Sequence, residues 1–277
     1  SPIILLSNGK NNSFPAALEI KTYANQRGKL AFVVTGDENY CATVITRLSR
    51  VIITQKTVIG HNLGVIGEPS DWLIASKVNY QEIKDIFSIN LIDISMEELF
   101  QEIDKKDAGR VKHLETLKRK YKDHDVLNEA LYIYGALKRL VKKYHLSGLT
   151  IRCFDTIQKY KNTACLALAL LNDEGITGCC EGDIPCLLTM HLASILTNRP
   201  CFQANPSYFN QAQNTILFAH CTLPLSMTSK YELLTHFESD CGVAIKGEVP
   251  LGPVSILKLF INEKHNLDDD INKKIQN

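Results

Sequence analysis

The sequence predicts an α/β fold: two Rossmann-like parallel-sheet domains followed by a short antiparallel β region. Three observations carry this. Strand-length apolar runs alternate with helix-period segments over the first hundred residues, the alternation resumes near residue 149, and helical periods stop beyond Pro224. Strands separated by helices imply parallel pairing through crossovers, whereas consecutive strands without helices imply antiparallel pairing.

In the first domain, "IILL" (3–6), "LAFVV" (30–34), "LGVI" (63–66) and "LIDI" (91–94) read as strands. Helices are expected from Ser13 to Gln26, stopped by Gly28, then from Glu38 to Ser49, Asn79 to Phe87, and Met96 to Ile103 behind an N-cap at Ser95. Residues 104–124 hold eight Lys/Arg against four Asp/Glu, a shift in composition that marks a domain junction. Val111, Leu114, Leu117 and Tyr121 keep helical spacing there, so the charges read as a solvated face, with a basic patch as the alternative. The expected domains are 1–108, 109–224 carrying the site, and 225–277.

Leu127, Leu131, Tyr134, Leu137, Val141 and Tyr144 predict a longer helix. After it come a strand at "LTIRCF" (149–154), a helix at "TACLALALLNDEG" (163–175), a strand at "ITGCC" (176–180) and a helix from Ile184 to Leu196. "CFQA" (201–204) and "TILFAH" (215–220) read as two more strands. Past Pro224, "YELLTHFES", "GVAIKGEV" and "VSILKLF" read as antiparallel strands, and the polar residues 262–277 as a frayed tail.

Composition narrows the function classes. With 277 residues, 45% apolar and 22% charged at a net charge of +1, the chain suits a globular protein and gives no reason to expect nucleic acid as a partner. No apolar run approaches the roughly 20 residues of a spanning helix, so no membrane partner is expected. The opening "SPIILLSNG" lacks the basic flank of a signal peptide, and a cytoplasmic location is the expectation. Eight of the nine cysteines lie between Cys153 and Cys241 in apolar surroundings, which reads as reduced, buried thiols. A zinc site from Cys179, Cys180, Cys186 and His191 fits no familiar spacing. "GHNLGVIG" (60–67) is not the dinucleotide fingerprint, and no P-loop occurs.

In open parallel sheets, ligands bind beyond the carboxyl ends of the strands. That rule selects Glu181, after the strand ending at Cys180, Asn205, after the strand ending at Ala204, and His220, closing the strand that begins at Thr215. If these strands pair in order, the three side chains lie about 5 Å per strand apart, within reach of a metal site or an acid–base pair. The alternative is that polar residues gather there simply because strands end there. Asp183 reads as the N-cap of the following helix, with Pro185 in its first turn, which leaves Glu181 as the candidate for chemistry. Trp72 is a candidate to stack on the flat face of a bound ligand or, alternatively, a core residue. His236 and Glu238, on one face of a strand, are candidate substrate contacts or surface residues.

These residues carry a resemblance. "CCEGDIPCLLTMHLASILTNRPCFQANPSYF", "FAHC" and "YELLTHFESDCGVAIKGEVPLGPVSILKL" are similar to the second and third domains of the L-fucose/L-arabinose isomerase superfamily, the L-fucose isomerase branch in particular. "NNSFPAALEI" (11–20) and "GVIGEPSDWLIAS" (64–76) resemble that family's first domain. The resemblance implies a homo-oligomeric, Mn²⁺-dependent aldose–ketose isomerase acting on a small sugar through an enediol. On it, Glu181 is the acid of the C-E-x-D motif, serving as metal ligand and base.

Two departures stand against the family pattern. Asn205 replaces the aspartate that completes the metal site, so it offers a neutral oxygen and weaker metal binding is expected. The family's remaining metal-binding histidine has no match here; His265 lies in an unrelated polar stretch, and the chain reads as a truncated or degenerate relative. Near the site, His220 is a ligand, a substrate contact or simply a packed histidine. Two functions follow as expectations: a metal-dependent sugar isomerase with Glu181 as ligand and base and with Asn205 and His220 lining the metal or the substrate, Asn205 being the second candidate metal ligand, or a sugar-binding or assembly protein that keeps the fold without a complete metal site.

Overall fold

A computed structural model describes residues 2–74 and 76–260, and the polar stretch 262–277, with His265, lies outside the described residues. The chain divides into two compact units, residues 1–59 and 60–277.

In the first unit, β1 (Ile3–Ser7) and β2 (Ala31–Thr35) pair in parallel, Ile3 opposite Ala31 and Ser7 opposite Thr35, with α1 (Ser13–Gln26) as the crossover. The following helix, α2 (Glu38–Thr57), starts where the Asp37 carboxylate accepts the Tyr40 N–H at 2.8 Å. It runs past Ser49 because no glycine or proline interrupts it before Gly60.

The second unit is built on a parallel sheet. Its elements begin with β3 (Asn62–Ile66), α3 (Tyr80–Phe87), β4 (Asn90–Ile94), α4 (Met96–Ile103), α5 (Leu114–Lys120) and α6 (His124–Tyr144). They continue with β5 (Leu146–Ile151), α7 (Phe154–Tyr160), α8 (Cys165–Asp173), β6 (Thr177–Cys179) and α9 (Ile184–Thr197). The strand order is β4-β3-β5-β6, all parallel, so this sheet takes strands from both sides of residue 108. One face of α6 is buried through Leu127, Leu131, Tyr134 and Leu137, whose spacing predicts the helix, together with Leu140, while Val141 and Tyr144 of the same expected stripe are half-buried. The run that reads as a core segment, α8, is buried along almost its whole length.

Gly135 shows how tightly α6 is crossed: a Cβ there would lie 2.1 Å from the Asp107 carbonyl oxygen. Only glycine admits the 107–108 backbone at that height on the helix.

Two antiparallel pairs complete the described residues: β7 (Asn205–Asn210) with β8 (Thr215–Ala219), and β9 (Lys230–Leu234) with β10 (Ala244–Glu248). Several expectations are corrected here. Residues 201–204 form no strand; instead Gln203 is buried and its Oε1 accepts the Cys180 N–H at 2.7 Å, so a side chain satisfies the backbone donor that a ladder would otherwise take. Asn205 therefore does not follow a parallel strand but opens a hairpin. The strand expected at 149–154 ends at Ile151, and Phe154 begins α7. Residues 235–239 turn rather than extend: β9 stops at Leu234, the Asp240 N–H closes onto the His236 carbonyl at 2.9 Å, and Asp240 and Gly242 have φ of 48° and 69°. No ladder forms over 254–260, whose apolar Val254, Ile256 and Phe260 are exposed.

Candidate active site

Glu181 owes its position to its backbone. Where β6 ends, Glu181 and Gly182 take consecutive left-handed conformations, φ 68° and 69°. For glutamate this costs on the order of 1 kcal/mol, and such conformations concentrate where a side chain must be aimed. The bend is pinned on both sides: the Ser70 N–H donates to the Glu181 carbonyl at 2.9 Å and the Gly182 N–H to the Ile151 carbonyl at 3.0 Å. Asp183 then caps α9 by accepting the Cys186 N–H at 2.8 Å, with Pro185 in the first turn, as the sequence predicts.

Beside this bend is a cavity of about 270 Å³. Glu181, Asn205, His220, His236 and Glu238 all line it, so five of the six predicted site residues share one hollow. That volume is near the lower end of the roughly 300–1,000 Å³ of small-molecule pockets, a scale suited to a monosaccharide rather than a dinucleotide. Cys153, Phe154, Ile157 and Ala219 supply apolar wall.

The sixth residue, Trp72, is 54% exposed and meets the ring of Phe154 edge-on at 5.3 Å between centroids. It is therefore not a core residue, and it is not among the residues lining the cavity, although its indole acts on the Glu181 carboxylate from outside. Its loop is held by Arg152, which donates to the Pro69 carbonyl at 3.1 Å and to both oxygens of Asp71 at 3.2 and 3.0 Å.

Electrostatics pair Glu181 with His220. Their Oε1 and Nε2 atoms are 3.9 Å apart, and both side chains are largely shielded, at 17% and 5% exposure. Burial pushes the Glu181 carboxyl above its ordinary value, while His220 and the Trp72 indole pull it partly back. For His220 burial acts downward, but its contact with Cys221 and the charges of Glu181 and Glu238 prevail and raise it. A carboxylate made more basic beside an imidazole made more basic is an arrangement able to move protons near neutral pH.

Cysteines are the residues that sequence reasoning missed. Cys153, Cys165, Cys180 and Cys221 all line the cavity, and Cys180 Sγ lies 2.8 Å from Cys153 Sγ. The paired "CC" and "HC" at and just past the strand ends, 179–180 and 220–221, are the signal that was open to reading: Cys180, His220 and Cys221 all reach the cavity.

The donors present do not fit a manganese ion. Among the described residues Glu181 is the carboxylate within 4 Å of His220, whereas Asn205 and Glu238 are exposed, and the amide carries no charge. Among the described residues, the groups of three metal-binding side chains in mutual reach are Cys180–His220–Cys221 and Cys165–Cys221–His236, sulfur-rich sets unsuited to a hard cation.

No protein-family model matches the chain. It is similar to two sulfoquinovose isomerases. That of Alkalicoccus urumqiensis is 26% identical over 181 residues, 63% of this chain and 41% of that protein. That of Clostridium sp. (strain MSTE9) is 36% identical over 90 residues, 32% of this chain and 20% of that protein. The chain thus spans less than half the length of these curated relatives. Among the described residues, no helix is long and apolar enough to cross a membrane.

Proposed function

We propose that the protein is an aldose–ketose isomerase of a small sugar, with Glu181 as the proton-transferring base. The observation that carries this reading is the convergence of Glu181 and His220 at one monosaccharide-sized cavity. Likeness to sulfoquinovose isomerases supports it and makes sulfoquinovose the first sugar to test.

In this reading an open-chain aldose lies with C1 and C2 over Glu181. The carboxylate takes the C2 proton as the C2–H electron pair forms the C1–C2 double bond, and the carbonyl oxygen at C1 receives a proton from the His220 imidazolium, giving an enediol. The reverse half moves the proton from Glu181 to C1, while the C2 hydroxyl returns its proton to His220 and becomes the ketose carbonyl. Both protons are conserved. Phe154, Ile157 and Ala219 exclude water from the enediol, and positioned acid–base catalysis of this kind supplies typically ~10²–10⁴-fold. His236, Asn205 and Glu238 face the same hollow as hydroxyl contacts.

The test is incubation of the full chain with sulfoquinovose and a panel of aldoses, with and without Mn²⁺, and detection of ketose by NMR. Ketose formation that is lost in Glu181→Gln is the expected result; no ketose from any sugar under either condition overturns the proposal.

One observation favours a second reading. Asn205 and the exposed Glu238 leave the family's oxygen-ligand set incomplete, which suits a protein that binds a sugar without converting it. Thermal stabilisation by a sugar, unaffected by Mn²⁺ and unaccompanied by ketose, is its signature.

A further inference from the structure

Cys221 stands where two groups of metal-binding atoms overlap. Its sulfur and ligand atoms of Cys180 and His220 lie within 4.8 Å of one another, and the same holds for Cys221, Cys165 and His236. A tetrahedral zinc-class ion, with bonds of about 2.0–2.3 Å, places its ligand atoms about 3.5–3.8 Å apart, so modest rotamer adjustment closes either group.

Orientation singles out the first group. His220 turns Nδ1 toward Cys221 Sγ at 3.5 Å, sharing that nitrogen with Thr222 Oγ1 at 3.2 Å, and leaves Nε2 on the side of Glu181 at 3.9 Å. Glu181 is thus the anionic neighbour of the ring nitrogen opposite the one that faces the thiol, at a distance that calls for a small side-chain adjustment before it can accept the Nε2 proton as the outer partner of a metal-bound imidazole. His236 is anchored the other way, its Nδ1 to Ser239 Oγ at 3.0 Å, and stands with Cys165 on Cys221 as a polar neighbour.

The wall is also preformed. Cys180 directly follows β6, Cys221 lies two residues past β8, and both are buried, so the fold and not the ion holds them together.

We propose that this wall is a binding site for one thiophilic divalent cation of the zinc class, held by Cys180, Cys221 and His220, with its fourth position facing the cavity. Thiolate and imidazole donors select such an ion over Mn²⁺. Three protein ligands with an open position define a site able to take water or a ligand oxygen. The proposal stands on the donor set and does not depend on the sugar chemistry above: His220 is neutral imidazole when it holds the ion, and the proton donor described above only in the metal-free protein.

The test uses Co²⁺ as a spectroscopic probe on the chelator-treated, reduced full chain under anaerobic conditions. One equivalent is expected to produce a sulfur-to-cobalt charge-transfer band and the d–d bands of a tetrahedral site, displaced by Zn²⁺ and not by excess Mn²⁺. Cys221→Ser weakens Co²⁺ binding about 10-fold or more, His220→Asn shifts the d–d bands, and Cys186→Ser changes neither. If Cys221→Ser fails to fold by circular dichroism, the wild-type spectrum and His220→Asn decide. No charge-transfer band in the wild type, displacement by Mn²⁺, or an unchanged spectrum in a folded Cys221→Ser or His220→Asn variant overturns the proposal. Because the readout is spectroscopic, absence of ketose in the sugar assay leaves this result standing, and the reverse holds too.

Discussion

His220 lies between two partners of opposite chemical character: its Nε2 is 3.9 Å from Glu181 Oε1 and its Nδ1 is 3.5 Å from Cys221 Sγ. One imidazole therefore links the candidate base to the thiol cluster. Removing the carboxylate takes away one of the influences that raise His220. Glu181→Gln is expected to lower the His220 pKa, measured by NMR titration of its ring protons, and to reduce isomerase turnover about 10²-fold or more. An unmoved titration means the pair does not interact in solution.

Gly182 is expected to be intolerant of a side chain. A Cβ there would lie 2.6 Å from the Glu68 carbonyl oxygen and 2.8 Å from Pro69 Cα, at a φ of 69°. Backbone atoms cannot swing aside as a flexible side chain can, so Gly182→Ala should destabilise the protein by about 1–3 kcal/mol in urea unfolding. At Gly252 nothing stands within 4 Å, and Gly252→Ala should fall within about 0.5 kcal/mol of wild type.

The buried His191 sets an acid limb of stability. Its ring nitrogens meet Thr177 Oγ1 and His61 Nδ1, each at 3.0 Å, and burial, with His61 beside it, lowers its pKa from 6.5 to about 4. A histidine depressed in the folded state is protonated first in the unfolded one. Its contribution is complete above about pH 6.5 and is lost progressively as pH falls toward about 4. With ~1.4 kcal/mol per unit, the loss is about 3 kcal/mol. Urea unfolding across that window should show it, and His191→Gln should flatten the limb.

Arg152 should control the Trp72 loop. It clamps Asp71 through two hydrogen bonds and also holds the Pro69 carbonyl. Arg152→Ala is expected to free the sole tryptophan from Phe154, seen as a red-shifted emission, with little effect on global unfolding because Asp71 is exposed. An unchanged spectrum means the indole is positioned by Phe154 and Glu181 without the Arg152 clamp.

Periodicity made the parallel sheet legible. The stripe of α6 and the apolar runs of β3, β4 and β5 have patterns of 3.6 and strand length that competing structures cannot use. Glu181 was legible because a glycine and a capping aspartate follow it, which forces a bend where β6 meets α9. The hairpin was not. "CFQA" has strand chemistry, yet Gln203 satisfies Cys180 through its side chain, a tertiary contact invisible to local pattern. His236 and Glu238 reached the cavity by a turn rather than a strand, since a left-handed Asp240 carries no distinctive sequence mark. The thiol cluster joins Cys153, Cys165, Cys180 and Cys221 from four separate elements, and no spacing in one dimension encodes that meeting.

The most direct measurement is solvent deuterium exchange, by NMR, during incubation of sulfoquinovose with the wild-type chain in D₂O. Proton transfer through an enediol at Glu181 predicts ketose formation with deuterium appearing at the exchanging carbon, abolished in Glu181→Gln. Ketose produced equally well by Glu181→Gln, or no exchange and no ketose from wild type while the sugar still binds, would contradict it.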